Sequence, residues 1–551
     1  MILKKIFLFL VFSSIAFAQV VYEPLHRDVY KFLSRLSQKS VIIFDDQIRP
    51  LSRKFIAQKL IEAAEKSSEL TKLEKEELGF YSRDFKLEFD MINNIKIDSS
   101  EMTIVGYDAG DRLRLFGYRN NFFSLNLSPI LGYKMGSRDN QKLTHFWNGI
   151  YTYGYIDKYI GFSFDFRDNT EEGNSIDKHK NFTPVTGVDA RTDENIVDYS
   201  PNKMEYSEIN AVIGTDWSWG SFSIGKGFHE WGYGESGLLV LSQKPPSYGF
   251  IQLDIKPVDW LRFNYMHGWL SSDIPDSNSF FYNKAGTISF SFVDKFIATH
   301  SLIITPITGL DFAIGESIIY DEELEFLYLI PIMFFRLADH QISNQTNAAG
   351  GNAQMFLSVS SKGQIKNTHL YGTLFIDEIT LSGLFDSYKQ RNQLGFTLGG
   401  SITDLPIENL TAKIEYTKIY PFVYQHYIQS SDYKSSNYIL GHWMGHNADL
   451  IYASLNYRFL RGLQATAWGQ YIRKGEDGNV EQQYYIQPQP PFLFGLRKNY
   501  TYFGAEIKYE YTHELFAKFN FQTTLSSIQQ EDLSFIDNRL SEFYFSIYYG
   551  L

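Results

Sequence analysis

The feature that most constrains this chain is a two-residue alternation of apolar and polar side chains. Near the C-terminus, Phe543, Phe545 and Ile547 alternate with hydroxyl-bearing residues, and similar segments recur at 160–167 and 503–511. A period of two places successive side chains on opposite faces of a β-strand. Repeated segments of about ten residues with one apolar face are typical of a transmembrane β-barrel.

The N-terminus has the features of an export signal. Lys4 and Lys5 precede an apolar run at 6–15, and the small-residue motif 16–18 offers a cleavage site before Gln19. A run of this length is too short to span a bilayer as a helix, which takes about 20 residues. The sequence therefore predicts a signal peptide over residues 1–18 and an exported mature chain.

The composition excludes several classes of protein. The chain has no cysteine, which excludes a lipid-modified N-terminal cysteine and any cysteine-based catalytic or metal site. Its formal net charge of −12 offers no general basic surface for nucleic acid. Aromatic residues make up 17% of the chain, and Tyr and Trp are favoured at membrane interfaces. A mean hydropathy of −0.24 does not argue against a barrel, because a barrel is apolar only at every second residue.

The chain divides into a helical and a β-rich region. Residues 19–84 are predicted to form a small periplasmic helical subdomain, with Ser52 capping one helix and a further helix over 68–78 ended by Gly79. Residues 85–551 are predicted to form the barrel, with short turns on one side, long polar loops on the other and about 16 to 20 strands. We expect the helices to pack on the rim or to plug the mouth of the barrel.

Several motifs carry a family resemblance. The chain reads IGKGFHEWGYGESGLLVLS over 224–242 and LGHWMGHNAD over 440–449, with YMHGWL at 265–270 and YGTLFIDE at 371–378 between them. In these motifs and their order the chain resembles the outer-membrane capsule assembly proteins of the Wzi type. One departure is Asp339 before the histidine at 340, where the family usually has Glu.

The resemblance implies both a fold and a role. The fold is an all-β transmembrane antiparallel β-barrel of about 18 strands with an N-terminal periplasmic helical subdomain. The role is non-enzymatic: to bind or organise exported capsular or other surface polysaccharide at the outer membrane of a Gram-negative bacterium. The expected partners are this polysaccharide, outer-membrane lipid and the barrel-assembly machinery, which would engage the C-terminal strand. No cofactor, metal or nucleic acid is expected.

Candidate lumen and motif residues are His229, Glu230, Trp231, Tyr233, Glu316, Arg336, His340, Asp377, Glu378, His442 and His446. The glycine-rich stretch that contains the first four is predicted to kink a strand or to pass close to the N-terminal helices. Two histidines four residues apart could share a helix face as metal ligands, but the glycines beside His442 and His446 favour packing inside the lumen.

The charged candidates are expected to face the lumen. Glu316, Arg336 and His340 are predicted on adjacent strands as an inward network, because a charge is costly on the lipid face. Asp377 and Glu378 are strand neighbours, so only one of them can face the lumen, and a structural carboxylate is favoured over a catalytic pair.

Glycan binding is predicted in the long loop from Asp168 to Asp198, with Arg167, Lys178 and Arg191 available for an acidic polymer. The barrel pattern alone equally supports a passive porin-like channel for small solutes, which would need an open lumen. An outer-membrane lipase or glycan hydrolase is disfavoured because the chain lacks a G-x-S-x-G elbow.

Overall fold

The computed structural model describes residues 18–188, 202–346, 350–380, 386, 388 and 391–551. The predicted signal peptide lies outside this range except for Ala18, which pairs with Asp216 at the end of a barrel strand. Among the described residues, no helix is both long and apolar enough to cross a membrane.

Eighteen antiparallel strands close into one barrel. In chain order they are β1 (Phe123–Arg138), β2 (Gln141–Ile156), β3 (Ile160–Glu172), β4 (Lys203–Trp217), β5 (Gly220–Gly227), β6 (Tyr248–Val258), β7 (Leu261–Pro275), β8 (Phe292–Ile307), β9 (Leu310–Asp321), β10 (Asn352–Lys362), β11 (Thr368–Glu378), β12 (Gln393–Thr403), β13 (Leu410–Ile419), β14 (Ala448–Leu460), β15 (Leu463–Lys474), β16 (Lys498–Thr512), β17 (Leu515–Gln529) and β18 (Phe535–Tyr549). The barrel closes where β18 pairs with β1, for example Phe545 with Met135. The predicted fold class is confirmed.

The alternation of apolar and polar residues in the sequence corresponds to the alternation of outward-facing and inward-facing side chains in the barrel wall. Phe543, Phe545 and Ile547 on β18 are 44–51% exposed on the outside, as an apolar surface meant for lipid would be. Trp260, in the turn before β7, and Trp269, near its other end, are also exposed. Because tryptophan favours membrane interfaces, Trp260 marks the periplasmic edge of the membrane and Trp269 marks its outer edge on this side of the barrel.

The N-terminal region is helical. The helices are α1 (Val29–Gln38), α2 (Arg53–Glu65), α3 (Lys72–Asp84) and α4 (Lys86–Ile92). The Ser52 hydroxyl accepts from the amide of Phe55, so the predicted cap is confirmed. The prediction that Gly79 ends a helix is wrong, because α3 begins after Thr71, whose capping box with Glu74 starts a new helix that continues through Gly79. The division of the chain at residue 84 stays a prediction, and α4 lies just beyond it.

The helices close the periplasmic mouth of the barrel. They share an apolar core that includes the buried side chains of Leu33, Ile56, Leu60 and Phe85. They also bind the short turns between strands: Lys39 lies 3.0 Å from Asp404 in the turn between β12 and β13. A short hairpin, Glu101–Tyr107 with Leu113–Arg119, follows α4 and pairs with the start of β1.

Two of the long connections between strands are largely buried, although loops of their length would be expected to be exposed. The segments 228–247, between β5 and β6, and 420–447, between β13 and β14, contain many buried residues. We call these two segments the inner loops. For His442 and His446, in the second inner loop, the sequence predicts packing inside the lumen, and the structure buries both side chains. For the first inner loop the sequence predicts a kinked strand or a close approach to the helices, and it gives no indication that this segment fills the barrel.

Candidate functional site

The inner loops fold into the lumen and form a core with its wall. The cluster contains Trp231, Leu239, Val240, Leu241, Val423, Tyr424, Tyr433, Leu440, Trp443 and Met444 from the loops, together with Phe356 and Phe375 from β10 and β11. All of these residues are at most 5% exposed. The lumen at this level is therefore packed with side chains. A chamber of about 310 Å³ remains between the inner loops and the helical subdomain.

Two buried carboxylates on the inner wall hold the inner loops in place. Glu415 on β13 accepts from the backbone amides of Glu235 (2.7 Å) and Ser236 (2.9 Å) and from the Tyr371 hydroxyl (2.6 Å). Asp377 on β11 accepts from the backbone amide of Tyr424 at 2.6 Å. Sequence reasoning missed Glu415, whose only signal was a polar residue on the inward face of a strand.

Asp377 and Glu378 lie at a β-bulge, where the pairing of β11 with β12 shifts register between Ile376 and Glu378. Asp377 is buried in the lumen, whereas Glu378 lies 3.3 Å from Arg391. The two carboxylates therefore have different partners, and Asp377 has the structural role that the sequence favoured for one of them.

The glycine-rich inner loop touches the helical subdomain. Glu230 and Trp231 pair with Arg49 and Ile48 as two short strands, and Glu230 is 3.0 Å from the Arg49 guanidinium. Gly232 follows with φ of +104°, which favours glycine, and its amide donates to Gln47. This segment passes close to the N-terminal helices, as one of the two sequence interpretations expected.

The histidines of the inner loops are buried packing residues. Burial lowers the pKa of His442 to about 3, so its imidazole is neutral and accepts from the Met444 amide. His446 accepts from the amide of Phe422 at 3.0 Å, and its other ring nitrogen lies 2.9 Å from the Gln425 side-chain amide. His229 packs edge-on against Phe250, and Tyr233 packs against Tyr371. Within the described ranges no group of three His, Asp or Glu residues is placed to hold a metal ion.

The inward network predicted for Glu316, Arg336 and His340 does not form. Glu316 lies on the outward face of β9, in alternation with the exposed Phe312 and Ile314. Arg336 and His340 lie on an exposed face of helix α5 (Phe335–Thr346), which belongs to the loop after β9. The prediction failed because it assumed that an outward charge must meet lipid, whereas a part of this loop covers Glu316.

The predicted glycan loop is only partly described. Arg167 is not in a loop, because β3 extends to Glu172 and Arg167 forms an ion pair with Glu208 on β4. Lys178 is half-buried in the loop after β3, and Arg191 lies outside the described residues. An outward-opening cleft of about 490 Å³ lies beside this loop. Its lining residues are Gln141, Lys142, Thr144, Glu172, Gly173, Asn174, Asn202 and Lys203.

A tyrosine-rich surface lies at the outer end of the barrel. We define the tyrosine platform as Tyr427, Tyr484, Tyr485 and Arg391. Tyr427 is 49% and Tyr485 is 79% exposed. The rings of Tyr427 and Tyr484 meet edge to face at 5.5 Å, and the Arg391 guanidinium lies 4.6 Å from the Tyr484 ring centre.

The surroundings of the platform add polar groups. Gln489 donates to the backbone carbonyl of Gln483, and the Gln483 amide donates to the Gln425 carbonyl and contacts the Tyr484 hydroxyl. These amide contacts lie beneath the platform, where Gln483 is 1% exposed, so the platform itself presents exposed rings and one guanidinium. Rings of this kind can stack on sugars, tyrosine hydroxyls can bond sugar hydroxyl groups, and a guanidinium can pair with a sugar carboxylate or phosphate.

Among solved structures, the chain is similar to Wzi, an outer-membrane protein involved in group 1 capsule assembly in Escherichia coli and described as a carbohydrate-binding β-barrel. The similarity covers 97% of this chain and 100% of Wzi, with a TM-score of 0.55 and 12% sequence identity. The chain shares the fold of Wzi. This confirms the fold implied by the sequence resemblance and, with the apolar outer wall, the location in the outer membrane.

Two further structures are similar over less of the chain. Pseudomonas aeruginosa OccK3 (OpdO) has a TM-score of 0.41 and 12% identity, over 78% of this chain and 95% of its own. Pseudomonas aeruginosa OprD has a TM-score of 0.41 and 11% identity over the same shares. The sequence matches no protein-family model and no curated protein.

Proposed function

We propose that this protein is a non-enzymatic outer-membrane receptor that binds exported surface polysaccharide, capsular polymer included, through the tyrosine platform. The observation that carries the proposal is the contrast between a lumen packed by the inner loops and an outer surface with exposed aromatic rings. A packed lumen favours binding over transport. The fold shared with a carbohydrate-binding barrel supports the same proposal.

The platform suits a polymer more than a small solute. Tyr427 and Tyr485 are exposed on an open surface, so several sugar rings of one chain can be contacted together. Each ring contact is weak, and affinity for a polymer comes from repeated contacts along the chain. Arg391 adds a preference for an acidic polymer, although its pairing with Glu378 reduces the free charge.

The first test is binding by the purified protein. We expect Tyr427→Ala with Tyr485→Ala to weaken binding of the host's surface polysaccharide at least about tenfold, since aromatic contact residues carry a large share of binding energy. Tyr282→Ala is the matched control, because Tyr282 is an outer-loop tyrosine that is 76% exposed and lies in a different loop. If Lys142→Ala with Lys203→Ala weakens binding and the platform variant does not, the site is the cleft beside β3.

The second test is retention in cells. In a deletion strain, we expect polymer to be made but shed into the medium, and the wild-type gene but not the platform variant to restore retention. Unchanged retention in the deletion strain would contradict the proposed function itself. Comparable amounts of wild-type and variant barrel in the outer membrane are the necessary control.

A further inference from the structure

A segment of the loop after β9 packs on the outside of the barrel wall. We call residues 325–346 the strap. It covers outward-facing residues of β7, β8 and β9, and the buried cluster between strap and wall includes Tyr265, Phe296, Ala298, Ile318, Tyr320, Tyr328, Phe335 and Ala338. The strap is built from a short 3₁₀ turn, Phe326–Leu329, followed by α5.

Polar residues of the wall satisfy backbone groups of the strap. The Glu316 carboxylate accepts from the amide of Phe335, the first residue of α5, at 2.6 Å. The Tyr265 hydroxyl donates to the backbone carbonyl of Tyr328 at 2.8 Å. Within the strap, the Tyr328 hydroxyl donates to Asp339. The Glu316 carboxylate and the Tyr265 hydroxyl face outward, where contact with lipid would be costly. They instead form hydrogen bonds with backbone groups of the strap.

The other side of the strap is apolar and exposed. Phe326 is 69%, Ile332 is 82% and Leu337 is 66% exposed, and residues 326–338 contain a single formal charge, Arg336. A long arginine side chain can place its charge at the headgroups while its stem stays in an apolar region.

The strap lies at membrane depth. Trp269 lies nine positions after Trp260, which is a length of about 30 Å along an extended chain. Tyr265, which the strap covers, lies between these two interface residues. Directly below, the outer wall has an apolar groove of about 550 Å³ whose lining includes Ile314, only two residues from Glu316. The exposed side of the strap is thus continuous with the lipid-facing surface of the barrel.

We propose that the strap is embedded in the outer leaflet, with Phe326, Ile332 and Leu337 in contact with lipid acyl chains. The leaflet follows from the topology, since the strap joins the ends of β9 and β10 that lie opposite the helical subdomain. Irregular backbone is tolerated at membrane depth only where its polar groups are satisfied. Glu316 and Tyr265 provide hydrogen-bond partners for the backbone of the strap, so they act as positioning residues for a membrane-inserted loop.

Site-specific fluorescence tests this proposal. Because the chain has no cysteine, Ile332→Cys and Leu337→Cys can each carry one polarity-sensitive label in vesicles of phosphatidylcholine and phosphatidylglycerol. Leu357→Cys on the outer wall is the lipid-facing reference, and Tyr485→Cys on the platform is the water-facing reference. We expect quenching by spin-labelled lipid at Ile332 and Leu337 within about twofold of that at Leu357, and little quenching by iodide.

Two results would overturn the proposal. Iodide quenching equal to that at Tyr485 would place the strap in water. Protection from both quenchers, with disulfide cross-linking between unlabelled Ile332→Cys copies, would show that a second copy of the chain covers this face.

A second variant tests the positioning role of the wall. In the labelled Ile332→Cys background, Glu316→Ala is expected to raise iodide quenching at least about twofold, because the amide at the start of α5 loses its acceptor. Glu323→Ala, an exposed residue of the same loop, is the matched control and should leave quenching unchanged. Equal quenching in both variants would contradict the role assigned to Glu316.

Discussion

At the scale of single residues, Arg112 connects the helical subdomain to the barrel. Its guanidinium lies 2.9 Å from Asp84 at the end of α3 and also pairs with Glu514 in the turn between β16 and β17. Arg112→Gln leaves both carboxylates buried without this partner, and breaking a buried ion pair costs about 3–5 kcal/mol. We expect faster hydrogen exchange of the backbone amides of α1 to α4, measured by mass spectrometry on the purified barrel.

An exposed ion pair nearby provides the control. Arg83 lies 2.8 Å from Asp111, but both side chains are more than half exposed. Exposed pairs contribute at most about 1 kcal/mol, so Arg83→Gln should leave exchange in the helices nearly unchanged. Equal acceleration of exchange in both variants would mean that the loss of one positive charge causes the effect, and it would contradict the importance of the buried position of Arg112.

Acid is expected to weaken the same connection. Burial alone would raise the pKa of Glu514, but Arg112 and Arg27 lower it to about 2. Burial would also raise the pKa of Asp84, but the neighbouring arginines hold it well below its ordinary value. Between about pH 4.5 and pH 2 the unfolded chain therefore binds more protons than the native chain. For Glu514 the stabilisation is about 3 kcal/mol, fully present above pH 4.5 and lost as the pH falls towards 2.

The measurement is the urea midpoint for loss of helical circular dichroism between about pH 7 and pH 2.5. We expect the urea midpoint to decrease as the pH falls below about 4.5, and to decrease less in Arg112→Gln, because without this cation the native pKa values of the remaining carboxylates lie closer to their unfolded values. A midpoint that does not depend on pH in the wild-type protein would contradict this assignment.

At the scale of elements, Glu415 determines the position of the first inner loop. It is 1% exposed and accepts from two consecutive backbone amides of that loop. Glu415→Ala removes these acceptors, and each buried donor left without a partner costs about 1–3 kcal/mol. We expect at least a tenfold rise in hydrogen exchange over 228–247, with Glu408→Ala in an exposed periplasmic turn as the unchanged control. Unaltered exchange in Glu415→Ala would show that apolar packing alone holds the loop.

The elements differ in how far the sequence predicts them. The strands could be predicted because the alternation of Phe543, Phe545 and Ile547 reflects a wall with one face to lipid. For the inner loops the sequence predicted packing inside the lumen only for His442 and His446. The rest of both loops could not be placed in the lumen, because their apolar residues have no period and are buried by contacts distant in the chain, such as Trp231 with Phe356. Periodicity indicates which face is apolar, but it does not indicate which distant segment covers that face.

The strap shows the same limit for a charged residue. Strand alternation would have placed Glu316 outward, next to Ile314, but the rule that charges avoid lipid suggested the opposite face. The rule failed because Glu316 is covered: its carboxylate accepts from the amide of Phe335, which belongs to a segment that strand patterns do not reveal, and lies 3.3 Å from His300 on β8. Of the candidate surface, the sequence anticipated long polar outer loops, but it placed glycan binding in the loop after β3 and missed the tyrosine platform.

At the scale of the whole molecule, the lumen is closed in successive layers. The helical subdomain binds the periplasmic turns, the inner loops fill the middle, and the segment 173–188 lies over them on the outer side. In this last layer Phe182 packs against Trp443 at 5.2 Å, and the Tyr438 hydroxyl donates to the carbonyl of His179. An open barrel of this strand number would hold water throughout.

The layered closure predicts that the wild-type protein does not conduct ions. In planar bilayers we expect no stable single-channel steps from the wild-type barrel. A variant with both inner loops and residues 29–92 replaced by short glycine-serine linkers should give steps of porin size, because the wall alone leaves a wide water-filled lumen. Heat-dependent migration on gels is the control that this variant still forms a barrel. Stable large steps from the wild-type protein would favour the porin-like alternative over a receptor, since they would mean that the inner loops and the helical subdomain move aside in the membrane.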